Sequence, residues 1–308
     1  MARNLELERA LIADPDDVAT YLVYADWLQQ EGDPRGELIA RTIQAESDTN
    51  DDAKLRAATK RRIERLIARL IGELADLNPS WRRGFVDGVV LQRDRVRGPY
   101  PERLAALFRD PSAALLRTIV LHDVFATEGA RSAALALADT PATLCELTLG
   151  FDDDVGDLAH LHRLARLARL EIGLKLGYMT DTPPTRGAPT TATVRSIARA
   201  PWPLESLSLR FNGGDATIDE LVGALARDFP LTRLEIYDRF AGHDFAAKLV
   251  RALVASPFAP KLERLKLDVA ALADADYQLL IAHRDRFDAL REVYIPNRTY
   301  QAQLVPAQ

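Results

Sequence analysis

Residues 204–209, Leu204-Glu-Ser-Leu207-Ser-Leu209, carry the pattern that decides the fold, with apolar residues at the first, fourth and sixth positions. The same apolar frame occurs eight times between residues 86 and 295. The other seven copies begin at Val86, Leu116, Leu144, Leu167, Leu231, Leu262 and Leu290. Successive copies begin between 23 and 37 residues apart, so the chain after residue 80 is built from an internal repeat.

The segments between the copies have the apolar spacing of helices. Ile218, Leu221 and Leu225 recur three or four residues apart in one such segment. A short strand followed by a helix cannot bury its apolar face alone, so neighbouring repeats must stack on one another. The pattern therefore predicts an α/β fold: a solenoid of about eight parallel strands with helices on its convex side.

The repeated frame L-x-x-L-x-L resembles the strand motif of leucine-rich repeat proteins, and it covers most of the chain after residue 80. Repeats of that family usually carry Asn at the ninth position, where the side chain bonds the turn backbone. Here only Asn212 matches, and the other ninth positions are Asp94, Val124, Asp152, Lys175, Arg239, Ala270 and Arg298. The resemblance implies a leucine-rich repeat solenoid whose curvature is uneven.

Residues 1–80 have helical spacing throughout and no copy of the repeat, which predicts two domains, 1–80 and 81–308. The strings LVYADWL at residues 22–28 and GDPRGELI at residues 32–39 resemble the bacterial repeat-companion domain, a module found ahead of repeat arrays. That resemblance implies no activity. A regular apolar stripe over residues 63–77 predicts a helix that covers the first strand, because a solenoid needs its open end capped.

Composition indicates a globular protein that is neither basic nor rich in cysteine. The 308 residues include 40 Lys and Arg against 45 Asp and Glu, a net charge of −5, which argues against nucleic acid and anionic membranes as partners. The single cysteine, Cys145, excludes an intrachain disulfide framework. No apolar run approaches 18 residues and no signal-type segment opens the sequence, so we expect a cytoplasmic protein.

Motifs for catalysis or metal binding are absent from the sequence, which predicts a protein that is not an enzyme and has no cofactor. Neither a nucleophile elbow nor a Gly-rich phosphate loop occurs. His160 and His162 are too close on a helix to share a face. The acidic run Asp152–Asp154 with Asp157 lacks calcium-loop spacing, and the more economical interpretation is an acidic turn that caps the next helix.

The third, fifth and seventh positions of each copy point away from the helices, onto the concave face of the predicted sheet. In the early copies these positions are small and neutral, as at Thr118 and Thr148. The later copies concentrate charged and aromatic residues, and we predict a partner-binding site at Arg210, Arg233, Glu235, Tyr237, Arg264, Lys266, Asp268 and Tyr294. Arg and Tyr are enriched in binding hot spots, and the mixed charge favours a protein or peptide partner. A solvated face of paired charges is an equally good interpretation.

Two other functions remain open at this stage. Asp26 and Arg35 in the N-terminal module either form a structural ion pair or line a cleft with enzymatic or regulatory chemistry. Self-association through the terminal strand is an alternative to the monomer that we expect. The Pro- and Thr-rich segment 177–190 is either a surface loop without a dedicated role or a flap over the concave face.

Overall fold

The computed structural model describes residues 2–47, 53–92, 95–96, 98–123, 130–151, 154–173, 189–211, 214–238, 240–296 and 298–304. It confirms the predicted α/β class: helices are combined with a mostly parallel, nine-stranded sheet whose strands follow chain order. The chain divides into two compact units, Met1–Val120 with Asp139–Leu144, and Leu121–Ala138 with Cys145–Gln308. In the part of the chain that is described, no helix is long and apolar enough to cross a membrane.

The first unit begins with four helices that enclose an aromatic core. Its elements are α1 (Leu5–Ala13), α2 (Val18–Gln30), α3 (Arg35–Ser47), α4 (Ala53–Leu70), a 3₁₀ helix (Gly72–Leu77), β1 (Ser80–Arg82), β2 (Phe85–Gln92) and α5 (Tyr100–Arg109). Asp17 caps α2 by accepting hydrogen bonds from the backbone N–H groups of Ala19 and Thr20. Tyr24 and Leu28 of α2 are fully buried against Phe85 of β2, which joins the helices to the sheet within this unit.

The sequence pattern predicts that the apolar stripe of residues 63–77 forms a helix that covers the first strand, and only the last part of the stripe contacts that strand. Helix α4 ends at Leu70, and residues 72–77 form a 3₁₀ helix that contacts β2. Ile63, Leu66 and Ile67 pack with Leu38 of α3 and Trp81 of β1 instead. The edge of β2 is occupied by β1, an antiparallel strand that the repeat pattern did not predict.

The second unit consists of repeated strands and connecting helices. The boundary between the two units falls within β3 (Thr118–Asp123). The elements of the second unit are α6 (Ala130–Ala136), β4 (Glu146–Phe151), β5 (Arg169–Ile172), α7 (Thr191–Arg199), β6 (Ser206–Phe211), α8 (Ile218–Leu225), β7 (Arg233–Asp238), α9 (His243–Ala255), β8 (Arg264–Val269), α10 (Asp274–Ala282), β9 (Glu292–Tyr294) and α11 (Arg298–Leu304). Strands β4 to β9 pair in parallel. Each of them begins at the third position of its repeat copy.

Between β4 and β5 the connection has a short 3₁₀ helix, Ala159–Leu161, where other connections have an α-helix. The two copies that flank it begin only 23 residues apart, the shortest interval in the array. Asp157 accepts a hydrogen bond from the backbone N–H of Ala159, the first residue of this 3₁₀ helix, at 2.8 Å. The N-cap position itself is Leu158, which has no side-chain cap. Asp152 and Asp153 of the predicted acidic turn lie outside the described residues.

Apolar side chains of the repeat form continuous rows across the parallel strands. Leu207 is in register with Leu234, and Leu234 with Leu265, and all three are at most 1% exposed. Because successive side chains of a strand point to opposite faces, the residues between them reach the other face of the sheet. The term open face is used below for this second face, which carries the third, fifth and seventh positions of the copies in β4–β9.

Candidate functional site

The predicted site residues lie together on the open face, on four neighbouring strands. Pairing places Arg210 of β6 beside Tyr237 of β7, and Tyr237 beside Asp268 of β8. Lys266 of β8 is in register with Glu235 on one side and with Tyr294 of β9 on the other. Residues up to 84 positions apart in the sequence (210 to 294) thus lie in one patch. They are brought together because alternate residues of each strand share a face and the strands pair in parallel register.

Four of these side chains form a row of alternating cations and aromatic rings. The guanidinium carbon of Arg210 lies 3.7 Å from the centre of the Tyr237 ring. The Nζ atom of Lys266 lies 4.9 Å from the centres of both the Tyr237 and Tyr294 rings. We call Arg210, Tyr237, Lys266 and Tyr294 the cation–aromatic row. Each contact of this kind contributes about 0.5–1 kcal/mol at an exposed site, so the row stabilises one arrangement of the four side chains.

The hydroxyl group of Tyr237 connects the cation–aromatic row to a neighbouring carboxylate. It donates a hydrogen bond to Oε2 of Glu235 at 2.7 Å. Burial and this hydrogen bond raise the pKa of Tyr237, against the opposing effect of Lys266 and Arg210. The neighbouring phenol group of Tyr237 raises the pKa of Lys266, although partial burial opposes the shift. Both groups therefore keep their ordinary protonation at neutral pH, a neutral phenol and a charged ammonium.

Two ion pairs flank the cation–aromatic row. Arg210 donates to Oε1 of Glu171 from Nε at 3.3 Å and from Nη2 at 3.2 Å. Arg264 donates from Nε to Oε2 of Glu292 at 2.6 Å. Because both partners of the second pair are exposed, that pair contributes only about 0–1 kcal/mol. Glu171 and Glu292 occupy open-face positions of the repeat, and sequence reasoning did not include them in the site.

Two groups of the patch remain without a partner in the described part of the chain. Arg233 is exposed, its guanidinium group has no hydrogen bond or ion pair there, and its register neighbour on β8 is another arginine, Arg264. The hydroxyl group of Ser208 is buried on β6 and has no hydrogen-bond partner. Tyr294 adds an aromatic surface that is 45% exposed. The patch thus combines a free cation and an accessible ring with the supporting pairs around them.

The glycine that follows β5 leaves room for Arg210 in the patch. Gly173 has a φ of +102°, and a Cβ atom built at this position would lie 2.6 Å from Cβ of Arg210. Any larger residue would push against β6 and would also strain its own backbone. Glycine at this seventh position therefore leaves the space that Cβ and the backbone of Arg210 occupy.

The structure corrects the pairing predicted in the N-terminal module. Arg35 pairs with Asp33 through Nε–Oδ1 at 3.1 Å and Nη2–Oδ2 at 2.9 Å, and not with Asp26, whose side chain is exposed. Arg35 is fully buried and Asp33 is 6% exposed. The two residues of the proposed cleft, Asp26 and Arg35, are therefore not brought together.

The remaining candidate residues have structural contacts. His160 and His162 each use Nε2 to bond a backbone carbonyl oxygen, that of Ala134 at 2.8 Å and that of Ser196 at 3.0 Å. Across the ranges that the structure describes, no group of three His, Cys, Asp or Glu residues is arranged to hold a metal ion. Cys145 is of intermediate exposure and forms no disulfide. Segment 177–190 lies mostly outside the described residues.

Comparison of the sequence with known protein families and with curated proteins identifies no relative. No known protein family matches the chain, and no curated protein matches it at a significant level. The resemblance to leucine-rich repeat proteins and to the repeat-companion domain therefore stays a prediction from the motifs themselves.

Proposed function

We propose that this chain is a non-catalytic interaction scaffold of the leucine-rich repeat type, which binds a protein or peptide partner on the open face of β6–β9. The main support for the proposal is the cation–aromatic row beside Arg233, whose side chain has no partner among the described residues. Arg210 and Lys266 hold Tyr237 from two sides, while Tyr294 and Arg233 remain accessible. Side chains that are already ordered lose little conformational entropy on binding.

Charge supports a protein partner over nucleic acid. On β4–β9 the open face carries cations at Arg169, Arg210, Arg233, Arg264 and Lys266, and acids at Glu146, Glu171, Glu235, Asp268 and Glu292. A balanced patch does not attract a polyphosphate backbone, whereas it discriminates between protein surfaces by matching their charges. Tyr237 and Tyr294 add rigid contact area of the kind that dominates protein interfaces.

The test is capture of partner proteins from an extract of the source organism by the purified chain and by two double variants. Arg233→Glu with Lys266→Glu reverses two charges of the patch. Thr118→Glu with Thr148→Glu adds two negative charges at the third position of one early repeat copy and the fifth position of the next, and is the control. We expect the first variant to lose partners that the unaltered chain and the control retain, as identified by mass spectrometry. Circular dichroism and thermal unfolding check that both variants are folded.

The opposite result would contradict the assignment. If the early-position variant loses the partners while Arg233→Glu with Lys266→Glu retains them, the later strands are not the binding surface. Loss of all partners by both variants, with folding intact, would mean that any negative charge added to the sheet prevents binding. Binding would then not depend specifically on the cation–aromatic row.

A further inference from the structure

A cleft of about 270 Å³ lies on the first unit and shares no residue with the cation–aromatic row. It is lined by Glu37 of α3 and by Arg62, Arg65, Leu66 and Arg69 of α4. Leu66 is 6% exposed and packs against Leu38, so it forms an apolar floor. The three arginines are spaced by three and four residues, which places them along one side of the helix. The cleft is therefore a cationic groove on a chain whose net charge is negative.

The one carboxylate of the cleft is already engaged by two guanidinium groups. Glu37 accepts from Nε of Arg41 at 2.7 Å and from Nη2 of Arg62 at 2.9 Å. These hydrogen bonds lower the pKa of Glu37, so it is ionised and its charge is compensated at neutral pH. Little of its negative charge is left to compensate Arg65 and Arg69.

Arg65 and Arg69 have no carboxylate partner in the part of the chain that the structure describes. Nε of Arg65 donates to the backbone carbonyl oxygen of Arg61 at 3.2 Å, which leaves its two terminal amino groups available. Like charges four residues apart on a helix repel each other. An anion held between the two guanidinium groups would remove that repulsion and accept hydrogen bonds from both.

We propose that this cleft binds the phosphate group of a small molecule between Arg65 and Arg69. Guanidinium groups match phosphate oxygens with paired hydrogen bonds, and charge-assisted bonds of this kind are about twice as strong as neutral ones. The volume of about 270 Å³ is just below the range of about 300–1,000 Å³ that is usual for drug-sized ligands. It is suited to a compact phosphate ester, whose organic part would rest on Leu66. This site is separate from the protein-binding patch and does not depend on it.

Isothermal titration calorimetry with inorganic phosphate, ribose 5-phosphate and ribose tests the proposal. The variant Arg65→Gln with Arg69→Gln removes both uncompensated charges but keeps good helix formers. The control Lys60→Gln with Arg61→Gln removes the same charge from exposed positions of α4 that do not line the cleft. Thermal unfolding of all three proteins, with and without each probe, gives a second readout.

We expect the phosphate compounds to bind the unaltered chain and to raise its melting temperature, whereas ribose does neither. Binding weakens at least about tenfold in Arg65→Gln with Arg69→Gln, and changes by less than about threefold in the control. Tighter binding of ribose 5-phosphate identifies a phosphorylated small molecule as the ligand, and equal binding identifies free phosphate. An equal loss in both variants, or no binding of either phosphate compound at millimolar concentration, overturns the proposal.

Discussion

At the scale of single residues, the N-terminal module is organised around one buried ion pair. Arg35 is fully buried, and its charge is held by Asp33, by the backbone oxygen of Ala2 and by the face of Phe85 at 5.8 Å. Asp33 also accepts a hydrogen bond from the backbone N–H of Ala2 at 2.9 Å. A buried charge of this kind requires its partner, because an unpaired charge that has been taken out of bulk solvent is strongly unfavourable.

Removal of the Asp33 carboxylate is therefore expected to destabilise the protein strongly. Asp33→Ala leaves the Arg35 charge buried and uncompensated, and we expect a loss of roughly 3–5 kcal/mol in the free energy of unfolding. Asp26→Ala, at the exposed position that sequence reasoning had paired with Arg35, should change it by less than about 0.5 kcal/mol. Urea unfolding followed by circular dichroism measures both, and equal effects would contradict the assignment of the pair to Asp33.

The same pair predicts a dependence of stability on pH. Burial opposes ionisation of Asp33, but the hydrogen bonds and charge of Arg35 outweigh it and lower its pKa below the ordinary value of 3.8. Since the folded state then holds the proton less tightly than the unfolded state, the stabilising effect is complete above about pH 4 and is lost as the pH falls through the lowered pKa. The difference in stability between the unaltered chain and Asp33→Ala should shrink on acidification below pH 4. A constant difference would contradict the linkage.

At the scale of elements, the hairpin of β1 and β2 is placed by its turn, Arg83-Gly84. Both residues have positive φ angles, +46° and +79°, as a two-residue hairpin turn requires. A Cβ atom at Gly84 would lie 2.4 Å from Cγ1 of Ile39, so the turn also lies directly against α3. The turn is therefore packed closely against α3, and it joins β1 to β2.

Substitution of the turn glycine should separate backbone strain from contact with α3. Gly84→Ala combines a positive φ angle with overpacking against Ile39, and we expect a destabilisation of roughly 2–4 kcal/mol. Gly72→Ala is the control, because its φ is +38° but no atom lies within 4 Å of the added carbon. It should cost about 1–2 kcal/mol. Equal losses for the two variants in chemical unfolding would show that the contact with Ile39 is unimportant.

At the scale of the whole molecule, the edge of the sheet bears on oligomeric state. The last strand, β9, has only three residues and is followed by α11, which contacts it. Short, covered edge strands pair poorly with other chains. We therefore expect sedimentation velocity at tens of micromolar to show a single species at the monomer mass of 34.2 kDa. A dimer whose population grows with concentration would favour the self-association alternative instead.

The repeat was predictable because its signal is periodic and local. Each copy specifies where a strand begins, as Leu204 and Leu207 do for β6, and the burial of alternate positions then defines the open face. The residues of the cation–aromatic row followed from counting along the copies. Their partners Glu171 and Glu292 did not, because the choice of one ion pair among several charged neighbours depends on side-chain conformation and not on spacing.

The α/β class, the positions of the repeated strands and the set of side chains that share the open face could be predicted from the amino-acid sequence. These properties follow from the alternation of apolar and polar residues, which burial enforces in every copy. Three further features became evident from tertiary packing: Asp33 and not Asp26 neutralises Arg35, β1 pairs with the edge of β2, and Arg65 and Arg69 lack carboxylate partners in the described chain. These outcomes depend on which polar groups lie next to each other after the apolar surfaces have packed. The sequence pattern is compatible with several pairings of those groups and does not select one.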